Sequence, residues 1–296
     1  MASLPPASVA VDLSRLPAPQ VIETLSFDAI KAAMIADFQT RFADYDALVE
    51  SDPAMKLIEV FAYRELLLRQ NFNERAVSML LPFATGADLD NLAAFFGVSR
   101  LTITPADPET GAAAVMEDDT ALLRRVQLAP DSYSVAGPES AYVFHALTAD
   151  GTIADASAIM GDPGEVIVSL LGAAGDGTAS ADQIAAVTAV LTHDEVRPLT
   201  DNVTVQSAQI VDYAIHARLH IAYGPDTQLV LSTAQAALDA YLTSRRKLGR
   251  LVSHSGHAGA LQVAGVETLE LISPASDIPI ARTQAAHPTS ITIEVA

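Results

Sequence analysis

The sequence predicts an α+β fold, with a mainly helical N-terminal region followed by two small mixed α/β domains. Two observations predict it. Apolar residues recur at helical spacing through the first hundred positions, and after residue 150 the two-residue alternation of strands is interleaved with capped helices. Half of the 296 residues are apolar, which at this length allows a substantial core. The expected divisions are an extended arm over 1–26, a helical bundle region over 27–100, a middle α+β domain over 101–206 and a C-terminal α+β domain over 207–296.

Pro5, Pro6, Pro17 and Pro19 prevent a continuous helix in the arm. Phe27, Ile30, Met34, Ile35, Phe38 and Phe42 then follow helical spacing, with Ser26 placed as N-cap. A longer helix of about 25 residues starts at Asp52-Pro53, a capping residue followed by the residue that fits the first helical position. Leu57, Val60, Phe61, Leu67, Leu68, Phe72, Met79 and Leu80 form its broad apolar face, which Arg64 and Asn71 interrupt. Glu59, Arg69, Asn73 and Glu74 are expected opposite. Such a face suits either a bundle with a second chain or an internal bundle with snorkelling side chains. Gly86 is expected to end this segment, and 88–97 to form a short helix capped by Gly97. LTITPADPETG (101–111) reads as a loop. Helices are expected around 118–128 and after Gly137-Pro138, the latter carrying His145 as a packed or solvated side chain. Strands follow at 165–171, over 203–223 as one or two, at 266–273 and at 289–295. The intervening helices are 180–191, 229–249 and a short one closing at about 260–265.

Composition narrows the function. The chain has no cysteine, which removes disulfides, thiolate metal sites and cysteine nucleophiles. Its formal charge of −19 repels phosphate backbones and anionic lipid heads, so neither nucleic acid nor a membrane surface is an expected partner. The longest apolar stretches, such as VIVSLLGAA from Val166, are well short of the roughly 18 residues that read as a membrane span. The N-terminus lacks the basic and apolar regions of a secretory signal, and synthesis in a cytoplasm is expected.

Few residues suggest chemistry. Gly175-Asp176-Gly177 between a strand and a helix resembles a dinucleotide fingerprint, but Asp176 would put a carboxylate among amides meant for pyrophosphate. A turn followed by a Ser180/Gln183 capping box uses the same residues more simply. His216 and His220 fall about 13 Å apart along a strand, too far to share a metal. His254 and His257 stand at a helix entrance, where they are expected to be exposed, without further ligands nearby. A metal- or nucleotide-dependent cytoplasmic enzyme is therefore the alternative reading, with no catalytic set to name and no cofactor expected. SRRKLGR (244–250) is the one basic cluster. Arg245, Arg246 and Lys247 either oppose a helix dipole or form a contact for an acidic neighbour.

Five stretches taken together carry a resemblance. They are VDLSRLPAPQVIETLSFDAI, DPAMKLIEVFAYRELLLRQNFNERA, ATGADLDNLAAFFGVSRL, RRVQLAPDSYSVAGPESAYVFHALTADGTIADA and RRKLGRLVSHSGHAGALQVAGVETLELISPASDI. In this order they resemble the baseplate J-like proteins of contractile-tailed phages and related injection particles. The resemblance implies a structural baseplate wedge subunit of the virion tail, without catalysis. It implies pairing with a second copy and a tail protein I-like wedge protein through bundled N-terminal helices. On this chain that bundle falls at about 52–81, and the interface residues it implies are Leu57, Phe61, Arg64, Leu68, Asn71 and Phe72. The C-terminal domain at about 207–296 would meet neighbouring wedges in a ring around the hub, near sheath-proximal baseplate proteins. Two copies in unlike surroundings would use 101–111 as a hinge. Gly256, His257 and Gly259 stand where the family tends to place aliphatic residues, which weakens a helix there by roughly 1 kcal/mol per glycine.

Overall fold

A computed structural model describes residues 25–43, 49–134, 137–224 and 226–295, so all but the last two residues of the expected arm lie outside them. The described chain divides into two compact units, one ending at Phe95 and the other beginning at Phe96.

The first unit is helical. α1 (Phe27–Arg41) starts where Ser26 accepts a hydrogen bond from the Ala29 amide, and α2 (Pro53–Ser78) where Asp52 accepts from the Ala54 amide. These are the caps read from the sequence, each meeting an amide that the first helical turn leaves unpaired. α1 and α2 pack through Ile30, Met55, Ile58 and Ala62, all buried. Beside them Lys31 and Lys56 reach the Glu59 carboxylate at 2.8 and 2.9 Å, which lowers its pKa through the Lys31 hydrogen bond first. The side of α2 expected to face solvent is thus, in its first half, the side that packs. Gly86, at φ +53°, opens α3 (Gly86–Ala94) rather than ending α2.

The second unit opens on a short antiparallel strand pair. Residues 101–111 are not a plain loop. β1 (Thr102–Thr104) pairs with β2 (Val115–Met116), and an Asp107 turn closes between them. The Leu101 amide donates to Glu117, whose buried carboxylate also holds Arg125 at 2.7 Å, and Arg125 in turn donates to the Ser99 carbonyl. This buried, multiply bonded pair ties the expected hinge to α4 (Asp119–Ser132), which Asp118 caps.

α5 (Glu139–Ala149) follows Pro138 as expected. β3 (Ile153–Met160), β4 (Glu165–Gly172) and, after α6 (Ala181–Leu191), β5 (Asn202–Ser207) make one sheet of order β3-β4-β5, with β4 antiparallel to β3 and parallel to β5. Leu147, Val168, Leu170, Val187 and Leu191 fill its core. The 203–223 stretch is two strands that part at Ala208. β6 (Gln209–Ile221) leaves for a second sheet, completed after α7 (Thr227–Arg245) and α8 (His254–Leu261) by β7 (Val266–Ser273) and β8 (Gln284–Val295). Its order is β7-β6-β8, with β6 antiparallel to β7 and parallel to β8. Alternation along β6 puts Ile215, Ala217 and Leu219 in the core with Val230, Ala234 and Leu238 of α7. Leu171, Ala208 and Ala285 close the seam between the two sheets, and the buried Asp155 carboxylate accepts the Leu248 amide across it at 2.8 Å.

Candidate assembly surfaces

α2 carries two apolar faces. A helix turns about 100° per residue, so Met55, Ile58 and Ala62 lie on one side, and Leu57, Phe61, Arg64, Leu68, Asn71 and Phe72 on the other. All six of the latter are exposed, Leu68 by 72% and Phe72 by 69%. From Ala62 onward no further α2 side chain is buried. Their separations run four, three, four, three from Leu57 to Asn71, the spacing of a coiled-coil seam. Arg64 and Asn71 are its polar members, and Asn71 accepts a hydrogen bond from Arg75 at 2.8 Å. Covering one such leucine or phenylalanine is worth roughly 1.5–3 kcal/mol. A row of large apolar side chains left exposed on one helix face, broken only by Arg64 and Asn71, is uncommon on a monomer surface.

A second surface lies within the C-terminal domain. The end of α7, the segment after it and the first half of β8 enclose a cleft of about 350 Å³, lined by Tyr213, Tyr241, Arg245, Arg246, Arg250 and His287 among others. His257 forms part of its floor. The expectation that His257 is exposed is corrected, because Ser253 caps α8 and the fourth residue on faces inward. Its Nδ1–H donates to the Ser253 carbonyl at 2.7 Å, and Nε2 accepts from the Tyr213 hydroxyl at 3.2 Å. Burial holds the imidazole below its ordinary pKa and pushes the Tyr213 phenol up to about 12. Gly256 permits this arrangement, since a Cβ there would stand 2.0 Å from the Tyr241 hydroxyl oxygen. Nothing in the structure requires glycine at 259.

Most of the remaining candidates have structural partners. Asp176 accepts the Thr178 amide at 2.8 Å, and both bonds of the Ser180/Gln183 capping box are made. His216 and His220 share a face of β6 with Arg218, and Glu294 takes His216 at 3.1 Å and Arg218 at 3.4 Å. His145 is half-buried, edge-on to Phe144, with its pKa lowered by burial. Arg245 lies over the Tyr241 ring at 5.9 Å and donates to the Leu251 carbonyl, while Arg246 donates to the Gly175 carbonyl at 2.8 Å. Two of the three expected neighbour contacts, Arg245 and Arg246, therefore already have a side-chain bond within the chain. Among the described residues no three metal-ligating side chains come together. No described helix is long and apolar enough to cross a membrane.

The class defined by these features is an α+β chain of one helical and two mixed-sheet modules. The family follows from comparison with known proteins. The Baseplate J-like N-terminal domain matches residues 50–107, the Baseplate J-like central domain 134–207, and the Baseplate J-like protein C-terminal domain 213–294. Baseplate protein J of Escherichia phage P2 is 42% identical over 288 residues, covering 94% of this chain and 95% of that protein. The chain belongs to the Baseplate J-like family.

Proposed function

We propose that the chain is a structural wedge subunit of the baseplate of a contractile tail, acting through its interfaces and not as an enzyme. The relationship to a phage baseplate protein over nearly the whole length supports a structural place in the virion tail baseplate. The observation that carries the finer reading is the exposed, heptad-spaced stripe of α2. Leu57, Phe61, Leu68 and Phe72 would pack in a helical bundle with a second copy and a tail protein I-like wedge protein. Arg64 and Asn71 would fix its register, since polar side chains at seam positions select one alignment at a cost in stability. Arg245, Arg246 and Lys247 would meet a neighbouring subunit in the ring around the hub, below the sheath-proximal proteins.

Co-expression with a tail protein I-like partner tests this reading. The expected result is a complex of defined mass containing two copies of this chain and one of the partner. A monodisperse monomer that ignores the partner contradicts it.

A further inference from the structure

The arginines of the second unit divide into two groups. Arg100, Arg124, Arg125, Arg197, Arg218 and Arg282 each meet a carboxylate, of Asp119, Asp155, Glu117, Asp194, Glu270 and Glu139 respectively. Arg245, Arg246 and Arg250 make no ion pair with a described residue, and all three line the one C-terminal cleft. In a chain with 36 acidic and 17 basic residues, carboxylates are the commoner partner, so three guanidinium groups left together without one form a distinct feature. The Nε of Arg245 is buried without a hydrogen bond. Among the described residues Asp239 is the only carboxylate lining the cleft, and it already accepts from Gln235 at 2.8 Å. Tyr241, Leu242, Val252 and Pro288 add apolar wall. The cleft thus offers positive charge and apolar surface together.

The complement lies at the far end of the same unit. The β3–β4 turn and the segment between α6 and β5 meet where the Asn202 amide donates to the Gly164 carbonyl at 2.7 Å. Asp162, Asp194 and Glu195 are exposed on this tip, with the apolar side chains of Met160 and Leu199 exposed by 84% and 91%. Asp194 has Arg197 at 3.7 Å, a long surface contact of little energetic weight. The tip stands beside Glu165, where β4 begins, whereas Arg246 bonds Gly175, just past the end of β4 at Gly172. Eight strand residues at about 3.3 Å each separate the two ends by roughly 26 Å. A tip cannot fill the cleft of its own chain.

We infer that the cleft receives the acidic tip of a second copy, with Asp194 and Glu195 opposite Arg246 and Arg250 and Leu199 against the apolar wall. Because unlike patches at opposite ends of one unit meet, the contact is head-to-tail and builds a ring or an open array rather than a two-fold dimer. This rests on the reading of the chain as an assembly subunit.

The absence of cysteine from the sequence allows a direct test. Full-length Leu199→Cys and Arg250→Cys chains are mixed and treated with a short bismaleimide. Cross-linking of the mixture is expected to run at least about tenfold faster than that of either variant alone at low salt. It should slow severalfold when salt is raised to about 0.5 M, because exposed charge pairs are screened. A mixture no faster than the single variants, or linkage chiefly between two cleft positions, overturns the inference. Repeating the reaction with Leu68→Glu in both chains separates the two surfaces. Cross-links that vanish while the wild-type chain still binds its wedge partner sink the cleft contact alone. Cross-links that persist while no α2-dependent complex ever forms sink the bundle reading alone.

Discussion

α2 and α7 bury nearly the same number of their own side chains and differ in what their other faces carry. Met55, Ile58 and Ala62 anchor α2, and Val230, Ala234 and Leu238 anchor α7. Away from its core, α7 presents Ser232, Thr233 and Asp239, with Leu229 an isolated exception near its start. α2 presents Leu57, Phe61, Leu68 and Phe72 in a row. α7 packs on its own sheet and is mostly polar elsewhere, whereas α2 keeps an exposed apolar row that the proposed bundle would cover. The difference separates two properties: substitutions on the inner faces should act on stability, and on the proposed function those on the outer face of α2 should act on assembly.

The largest effect is expected from breaking that distinction on its assembly side. Leu68→Glu should lower affinity for the wedge partner by at least about a hundredfold, since it both removes a buried contact and places a charge in the seam, while thermal unfolding of the free chain stays nearly unchanged. Co-purification and differential scanning fluorimetry read the two quantities. On the other helix Leu238→Ala should destabilise the C-terminal domain by about 2–5 kcal/mol, because the side chain is fully buried, and denaturant unfolding measures it. Gly256→Ala should cost about 1–3 kcal/mol by driving a methyl into Tyr241, despite the better helix propensity of alanine. Ser180→Ala should cost about 1 kcal/mol by removing the N-cap of α6.

His257 sharpens the comparison through pH. Its folded pKa lies below the unfolded value of about 6.5, so the unfolded chain binds the proton more readily. Stability from the neutral side chain is fully present above pH 6.5 and is lost as pH falls from there through the folded pKa. His257→Gln should flatten that part of the stability profile, and His145, lowered by burial in the same direction, should retain its own share. An unchanged slope in His257→Gln would show that the imidazole is not the group responsible.

Much of this fold was legible in local signals. Ser26, Asp52 and Ser180 cap the helices their sequence positions predict, because an N-cap is decided by a few adjacent residues, and Asp118, expected within the first turn of its helix, is the cap instead. β3 escaped notice because IADASAIM is built of small residues with little intrinsic strand preference, and burial by its surroundings determines its state. The outer face of α2 was legible, since its large residues repeat at heptad spacing. Its inner face was not: Met55, Ile58 and Ala62 are fewer and partly small, and Glu59 beside them looked solvated until Lys31 arrived from α1. The burial of His257 is hidden from its local sequence for a related reason. Its burial depends on Tyr213 and Tyr241, which are distant in sequence and brought together by β6 and α7. The cleft was signalled only by its basic cluster, because Tyr213 and His287 join Arg245 through the sheet.

Hydrogen exchange on the free chain and on its complex with a tail protein I-like partner tests the central claim most directly. If the outer face of α2 is the bundle surface, amides over residues 57–79 should exchange at least about tenfold more slowly in the complex, while those over 230–238 in α7, short of the cleft, keep their rates. Protection that rises equally in both helices, or rises elsewhere while 57–79 is unaffected, would contradict the account.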